Sequence, residues 1–94
     1  MRSPSVIERP ESSSTSSFGG WKVKVYNNDF NTFDEVANIL MIATRCSLDE
    51  AAMETWEIDH LGYSVVHYAT QNECEVVATT ISSIGIRTEV LPED

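Results

Sequence analysis

Asp29 and Asp59 are the carboxylates with no obvious structural duty. Both fall in stretches that read as loops, where no helix dipole accounts for an acid. Asp34, Glu35, Asp49, Glu50 and Glu73 sit instead in the first turns of three helical patterns and read as capping residues. His60 lies beside Asp59 in an expected turn, whereas His67 falls within a strand pattern and reads as structural. Cys46 and Cys74 have no Cys or His pair at metal spacing and read as reduced core or near-core thiols. No glycine-rich phosphate loop, Gly-x-Ser-x-Gly turn or Cys–His constellation is present, so neither an enzyme nor a resident metal or cofactor is expected.

The charge balance narrows the partners. Lys plus Arg number 6 against 15 Asp plus Glu, a net charge of −9 over 94 residues. Arg2 and Arg9 balance Glu8 and Glu11, so the whole excess falls on residues 21–94. Nucleic acid and anionic membranes are poor partners for such a chain, and cationic groups such as an ammonium terminus are good ones. No apolar run is long enough to span a bilayer, and the start lacks the apolar core of a secretory leader. A cytoplasmic setting is expected.

Residues 1–20 hold eight Ser or Thr, two Pro and two Gly, and read as a flexible arm. Residues 21–94 then form the fold. Trp21 to Tyr26 alternates apolar and polar residues as a half-buried strand does, and Asn27-Asn28-Asp29 breaks it. Three capping patterns follow, at Thr32–Glu35, Ser47–Glu50 and Thr70–Glu73. The first helix should turn Val36, Ile39, Leu40 and Ala43 inward. The second should bury Leu48, Ala51 and Ala52, with Thr55 or Trp56 next, and the third Val77, Thr80, Ile81 and Ile84. Gly85 stands where a left-handed C-terminal residue is wanted. Gly62–Ala69 and Ile86–Leu91 read as strands, with Pro92 ending the last. The order β-α-α-β-α-β predicts an α+β sandwich, a three-stranded antiparallel sheet backed by helices.

The run Trp21-Lys-Val-Lys-Val-Tyr-Asn-Asn-Asp-Phe-Asn-Thr-Phe-Asp-Glu-Val36 resembles the opening of the ClpS family, adaptors of the Clp protease. That family opens with a Tyr-Lys-Val strand, an Asn-Asp-Asp-(Tyr or Phe)-Thr turn, and a helix that starts near a Met and reaches a Val. Ile58-Asp59-His60-Leu61-Gly62 resembles its Val-His-x-x-Gly turn before a strand. The resemblance implies a small adaptor that binds the free N-terminus of a substrate protein and passes it to a Clp-type ATPase. It places the α-amino group at Asn27, Asn28 and Asp59, with Asp29 close enough to help and Asn31 where the family has Thr. Asn28 stands where the family has Asp, and Asp59 where it has His. An ammonium wants acceptors and at least one carboxylate, so the charge would have changed sides of the site.

By the same resemblance the side-chain pocket is lined by Phe33, in the position of a gatekeeping Met, and by Val36, Ile58 and Ile86. Phe33 fits plain core equally well. Glu73 falls near the acidic position with which the family docks on the ATPase, and the family's Lys position is Val77, which fits the inward stripe of the third helix. A monomer is expected. A different reading keeps the scaffold as a protein-interaction module that recognises no N-terminus. A third, the ribosomal stalk protein's C-terminal domain, would need a basic helix face, and none of the three helical patterns supplies one.

Overall fold

Each helix begins on a hydroxyl. In the computed structural model, which describes residues 20–93, the Thr32 side chain accepts from the backbone N–H of Glu35 at 3.1 Å. The Glu35 carboxylate accepts in return from the Thr32 N–H at 2.9 Å, closing both halves of the capping box. Ser47 and Thr70 accept from Glu50 and Glu73 in the same way, at 3.1 and 3.2 Å. These caps start α1 (Phe33–Thr44), α2 (Leu48–Leu61) and α3 (Gln71–Ser82). The strands are β1 (Trp21–Tyr26), β2 (Tyr63–Ala69) and β3 (Thr88–Pro92). The α+β class and the element order therefore match the expectation. The proposed arm, 1–20, lies outside the described residues except for Gly20.

The helix ends correct two expectations. Asp59 and His60 lie in the last turn of α2 and not in a loop, because Gly62, at φ 93°, supplies the left-handed cap just beyond them and donates its N–H to the Ile58 carbonyl. Gly85 does adopt a positive φ of 89°, but it lies beyond the cap of α3 rather than at it. Ser83 and Ile84 first tighten the end with bonds to Thr80 and Ile81, three residues back.

The sheet has the order β2-β1-β3, antiparallel throughout, so the first strand is the central one. Its Val23 and Val25 are wholly buried against the helices, together with Leu40 of α1, Ile58 of α2 and Ile81 of α3. The β1–β2 ladder shifts register, with Val23 opposite His67 but Lys24 opposite Val65. Val66 is the extra residue of this bulge, and it carries His67 round to the helix side of the sheet. The last strand starts at Thr88 rather than Ile86 and takes in Pro92. Proline is tolerated there because β3 is an edge strand.

The buried stripes differ in phase from those expected on two helices. On α2, Leu48 and Trp56 face solvent, and Ala51, Thr55 and Ile58 face in. On α3, Cys74 and Ala78 complete the stripe with Val77 and Ile81, and Thr80 lies at its margin. Burial pushes the Cys74 thiol up from its ordinary value, which leaves it a poor nucleophile.

One acidic side chain on α2 is strained electrostatically. Glu54 is half-buried with its Oε1 unpartnered among the described residues, and Glu50 and Glu57 lie near it on the same helix. Desolvation first, then these two neighbours, push its carboxyl up to about 7. The native state thus holds a proton that the unfolded chain releases above about 4.5. Stability from this group is full at low pH and is lost as pH rises towards 7.

Glu54→Gln should therefore raise unfolding free energy at pH 8 by about 1–2 kcal/mol, after discounting for solvent screening, and make no gain at pH 4.5. Urea melts at the two pH values test this. Leu40→Ala should lower stability by about 3 kcal/mol with an unchanged urea slope.

Candidate functional site

Three chain segments meet at one end of the sheet: the β1–α1 loop, the end of α2 and the α3–β3 turn. Asn28 shapes the first of them. Its Oδ1 accepts from the backbone N–H groups of Phe30 and Asn31, both at 3.1 Å, which is an Asx turn. Its Nδ2 donates to Asn31 Oδ1 at 2.8 Å and, more weakly, to the Gly85 carbonyl at 3.4 Å. Asn31 Nδ2 donates to the Ile84 carbonyl at 2.9 Å, tying the loop to the α3–β3 turn. The Asn27 N–H donates to the Gly62 carbonyl at 2.9 Å, tying the same loop to the end of α2.

A pocket of about 190 Å³ opens between the loop, α1 and α2. Its buried wall is Val36, Thr55 and Ile58; its solvent side is Asn27, Thr32, Phe33 and Asp59, with Asn31 half-buried between them. Six of the residues singled out in the sequence therefore share this one cavity: Asn27, Asn31, Phe33, Val36, Ile58 and Asp59.

Three others do not line it. Asn28 is the scaffold of the loop, with both ends of its amide engaged internally. Asp29 is exposed and outside the lining. Ile86 is core, 2% exposed, because it packs ahead of β3 rather than within the strand. Phe33 is not core; at 46% exposure, as the first residue of α1, it stands at the mouth of the pocket. Glu73 accepts from or pairs with His67 Nε2 at 2.7 Å across the β2–α3 junction. Val77 is buried in the α3 stripe.

Two lining residues were not among the sequence candidates, Thr32 and Thr55. Thr32 carried only its capping signal. Thr55 donates its hydroxyl to the Ala51 carbonyl at 2.7 Å, so its polarity is satisfied within the helix while the side chain stays buried.

The electrostatics of the pocket are negative. Asp59 lies in the last turn of α2, where the carbonyl end of the helix already disfavours an acid. Its nearest basic group among the described residues is His60 Nδ1 at 3.7 Å. That nitrogen lies 3.0 Å from the Trp56 carbonyl, and the ring stacks on Trp56 with centroids 4.3 Å apart. Glu35, beside Asn31, is held below its usual range by the Thr32 N–H and then by the Asn31 amide, so it stays ionised. The arrangement suits a ligand with a cationic head and an apolar body. Among the described residues no group of three or more His, Cys, Asp or Glu is placed to hold a metal ion, and no helix is long and apolar enough to cross a membrane.

The family model described as "ATP-dependent Clp protease adaptor protein ClpS" matches residues 17–89. The chain belongs to the ClpS family, whose members are adaptors that work with the Clp protease. Among solved structures it is similar to Agrobacterium tumefaciens ClpS2 bound to L-phenylalaninamide, with a TM-score of 0.75 and 21% identity. That match covers 80% of this chain and 98% of the other, and at this identity it speaks for the fold. No curated protein sequence matches the chain.

Because the Asn28 amide holds the loop, Asn28→Ala should speed hydrogen exchange at the Phe30 and Asn31 amides by about tenfold, the effect of losing one net hydrogen bond. Exchange in the core of β1 should be unchanged.

Proposed function

We propose that the pocket receives the first residue of a substrate protein, and that this chain is a non-catalytic, monomeric cytoplasmic adaptor delivering that protein to a Clp-type ATPase. The observation that carries the reading is the Asp59 carboxylate standing over an apolar wall of Val36 and Ile58 in one small cavity. A free N-terminus has the matching form, an ammonium one carbon from a side chain. Asp59 would take the ammonium, helped by the carbonyl end of α2 and the Asn27 and Asn31 amides. Asn28 would act indirectly, by holding the loop, and Asp29 through its charge.

At about 190 Å³ the cavity falls below the 300–1,000 Å³ usual for drug-sized ligands, and suits one side chain. Phe33 at its mouth favours contact with an aromatic ring or a Leu side chain. The ligand of the Agrobacterium relative supports this reading, since L-phenylalaninamide carries a free α-amino group beside a benzyl side chain. Docking to the ATPase is assigned to the first turn of α3, where Glu73 is oriented by His67.

Fluorescent decapeptides differing only at residue 1 test the proposal. Peptides beginning with Phe, Tyr, Trp or Leu should bind, N-acetylation should abolish binding, and Asp59→Asn should weaken it by about tenfold or more. Absence of binding to every peptide would replace this reading with a ClpS-like interaction module that does not recognise N-termini.

A further inference from the structure

The face of the sheet turned away from the helices carries a chemistry opposite to the rest of the chain. Lys22, Lys24 and Tyr26 project there from β1, since Val23 and Val25 project to the core. Their partners on β2 are Tyr68, Val65 and Tyr63, and on β3 Leu91 and Glu89 face the same way. Arg87, just before β3, joins them, with its guanidinium 4.4 Å from the Tyr26 ring centroid. Lys24 Nζ lies 4.3 Å from the Tyr63 centroid and 5.2 Å from that of Tyr26.

Three of the four Lys and Arg residues in the described part of the chain therefore share one face, the fourth being Arg45 at the end of α1. Glu89, the carboxylate opposite Lys24 on that face, accepts from the Tyr26 hydroxyl. Among the described residues none of the three cations is ion-paired, although acids outnumber bases 15 to 6 in the whole chain. Lys24 and Arg87 rest on tyrosine rings instead, which orders them without neutralising them. Tyr68, at 60% exposure, and Tyr63 extend the face with ring surface.

We propose that this face is a second docking surface, distinct from the pocket, for an extended acidic protein segment with carboxylates at alternate positions. The spacing follows from the strand: Lys22 and Lys24 project on one side about 7 Å apart, the repeat that alternate side chains of an extended segment also have. Local complementarity sets the partner because fields are screened beyond about 8–10 Å in physiological salt. A short acidic segment thus meets the three cations and little of the distant acidic helices. A nucleic acid, with charge at every phosphate along its length, runs beyond the patch into the field of a chain of net charge −9.

The test is a titration of the ¹⁵N-labelled full chain with the acetylated, amidated peptide Glu-Val-Glu-Val-Glu-Val-Glu, whose blocked terminus keeps it from the pocket. Amide shifts should concentrate on β1, β2 and β3. Affinity should fall about three- to tenfold in the double variant Lys24→Gln/Arg87→Gln, and similarly between low and high salt. Lys22→Gln, at a more peripheral position, should give a smaller loss, and circular dichroism checks that both variants fold. The proposal is overturned if shifts spread without preference for the sheet, if folded variants bind as the native chain does, if a Lys-for-Glu peptide binds equally, or if an oligo-dT 12-mer binds the face more tightly.

Discussion

The hydrogen bond from the Asn27 N–H to the Gly62 carbonyl is the constraint on which the pocket depends. It closes the distance between the end of the central strand and the end of α2, elements separated by the whole helical pair. Gly62 makes it possible by taking φ 93°, where a side chain would add strain even though open space surrounds the site. The same residue ends α2 one turn beyond Asp59. A single backbone conformation therefore stops the helix, orients its carbonyl to the loop and fixes where the carboxylate stands. The Asn28 amide and the Asn31 link to Ile84 complete the clasp from the other side.

The fold then separates charge by face. Helix starts collect acids because the positive end of each dipole stabilises them, which accounts for Asp34, Glu35, Asp49, Glu50 and Glu73. Strand alternation carries Lys22 and Lys24 to the side of the sheet that no helix covers. The result is one acidic protein with two surfaces of different chemistry: a concave site where Asp59 lines a cavity with apolar side chains, and a cationic sheet face bearing tyrosines. Glu54 shows the cost of partly burying an acid on a helix already crowded with them, since desolvation and then its neighbours push its carboxyl up to about 7.

Local signals were strong in the sequence wherever a side chain acts on its own backbone. The three hydroxyl caps, the alternation of β1 and the Asn-rich turn each depend on residues within four positions, and all three helices began where those signals stood. The resemblance to the ClpS family picked out six of the residues that line the pocket; the order of strands within the sheet came only from the structure. The buried phase of α2 was less legible, because Leu48 and Trp56 are apolar yet face solvent while a Thr faces in. Hydrophobicity alone cannot reveal that Thr55 satisfies its hydroxyl on Ala51. Cys74 and Ala78 completed the α3 stripe at helical spacing, a signal that larger apolar residues masked.

What the sequence determined by itself was the set of elements, their order, the acidic balance and the residue types available to the pocket. Tertiary structure decided which of those residues meet. Asn28 and Asp29 adjoin Asn27 in the chain, yet only Asn27 lines the cavity, while Asp59 reaches it from the far end of another helix. The bulge at Val66 likewise sets which face His67 occupies, and so gives Glu73 its partner. Contacts between distant elements depend on register and helix phase: a shift of one residue turns a strand side chain to the opposite face and a helix side chain by about 100°.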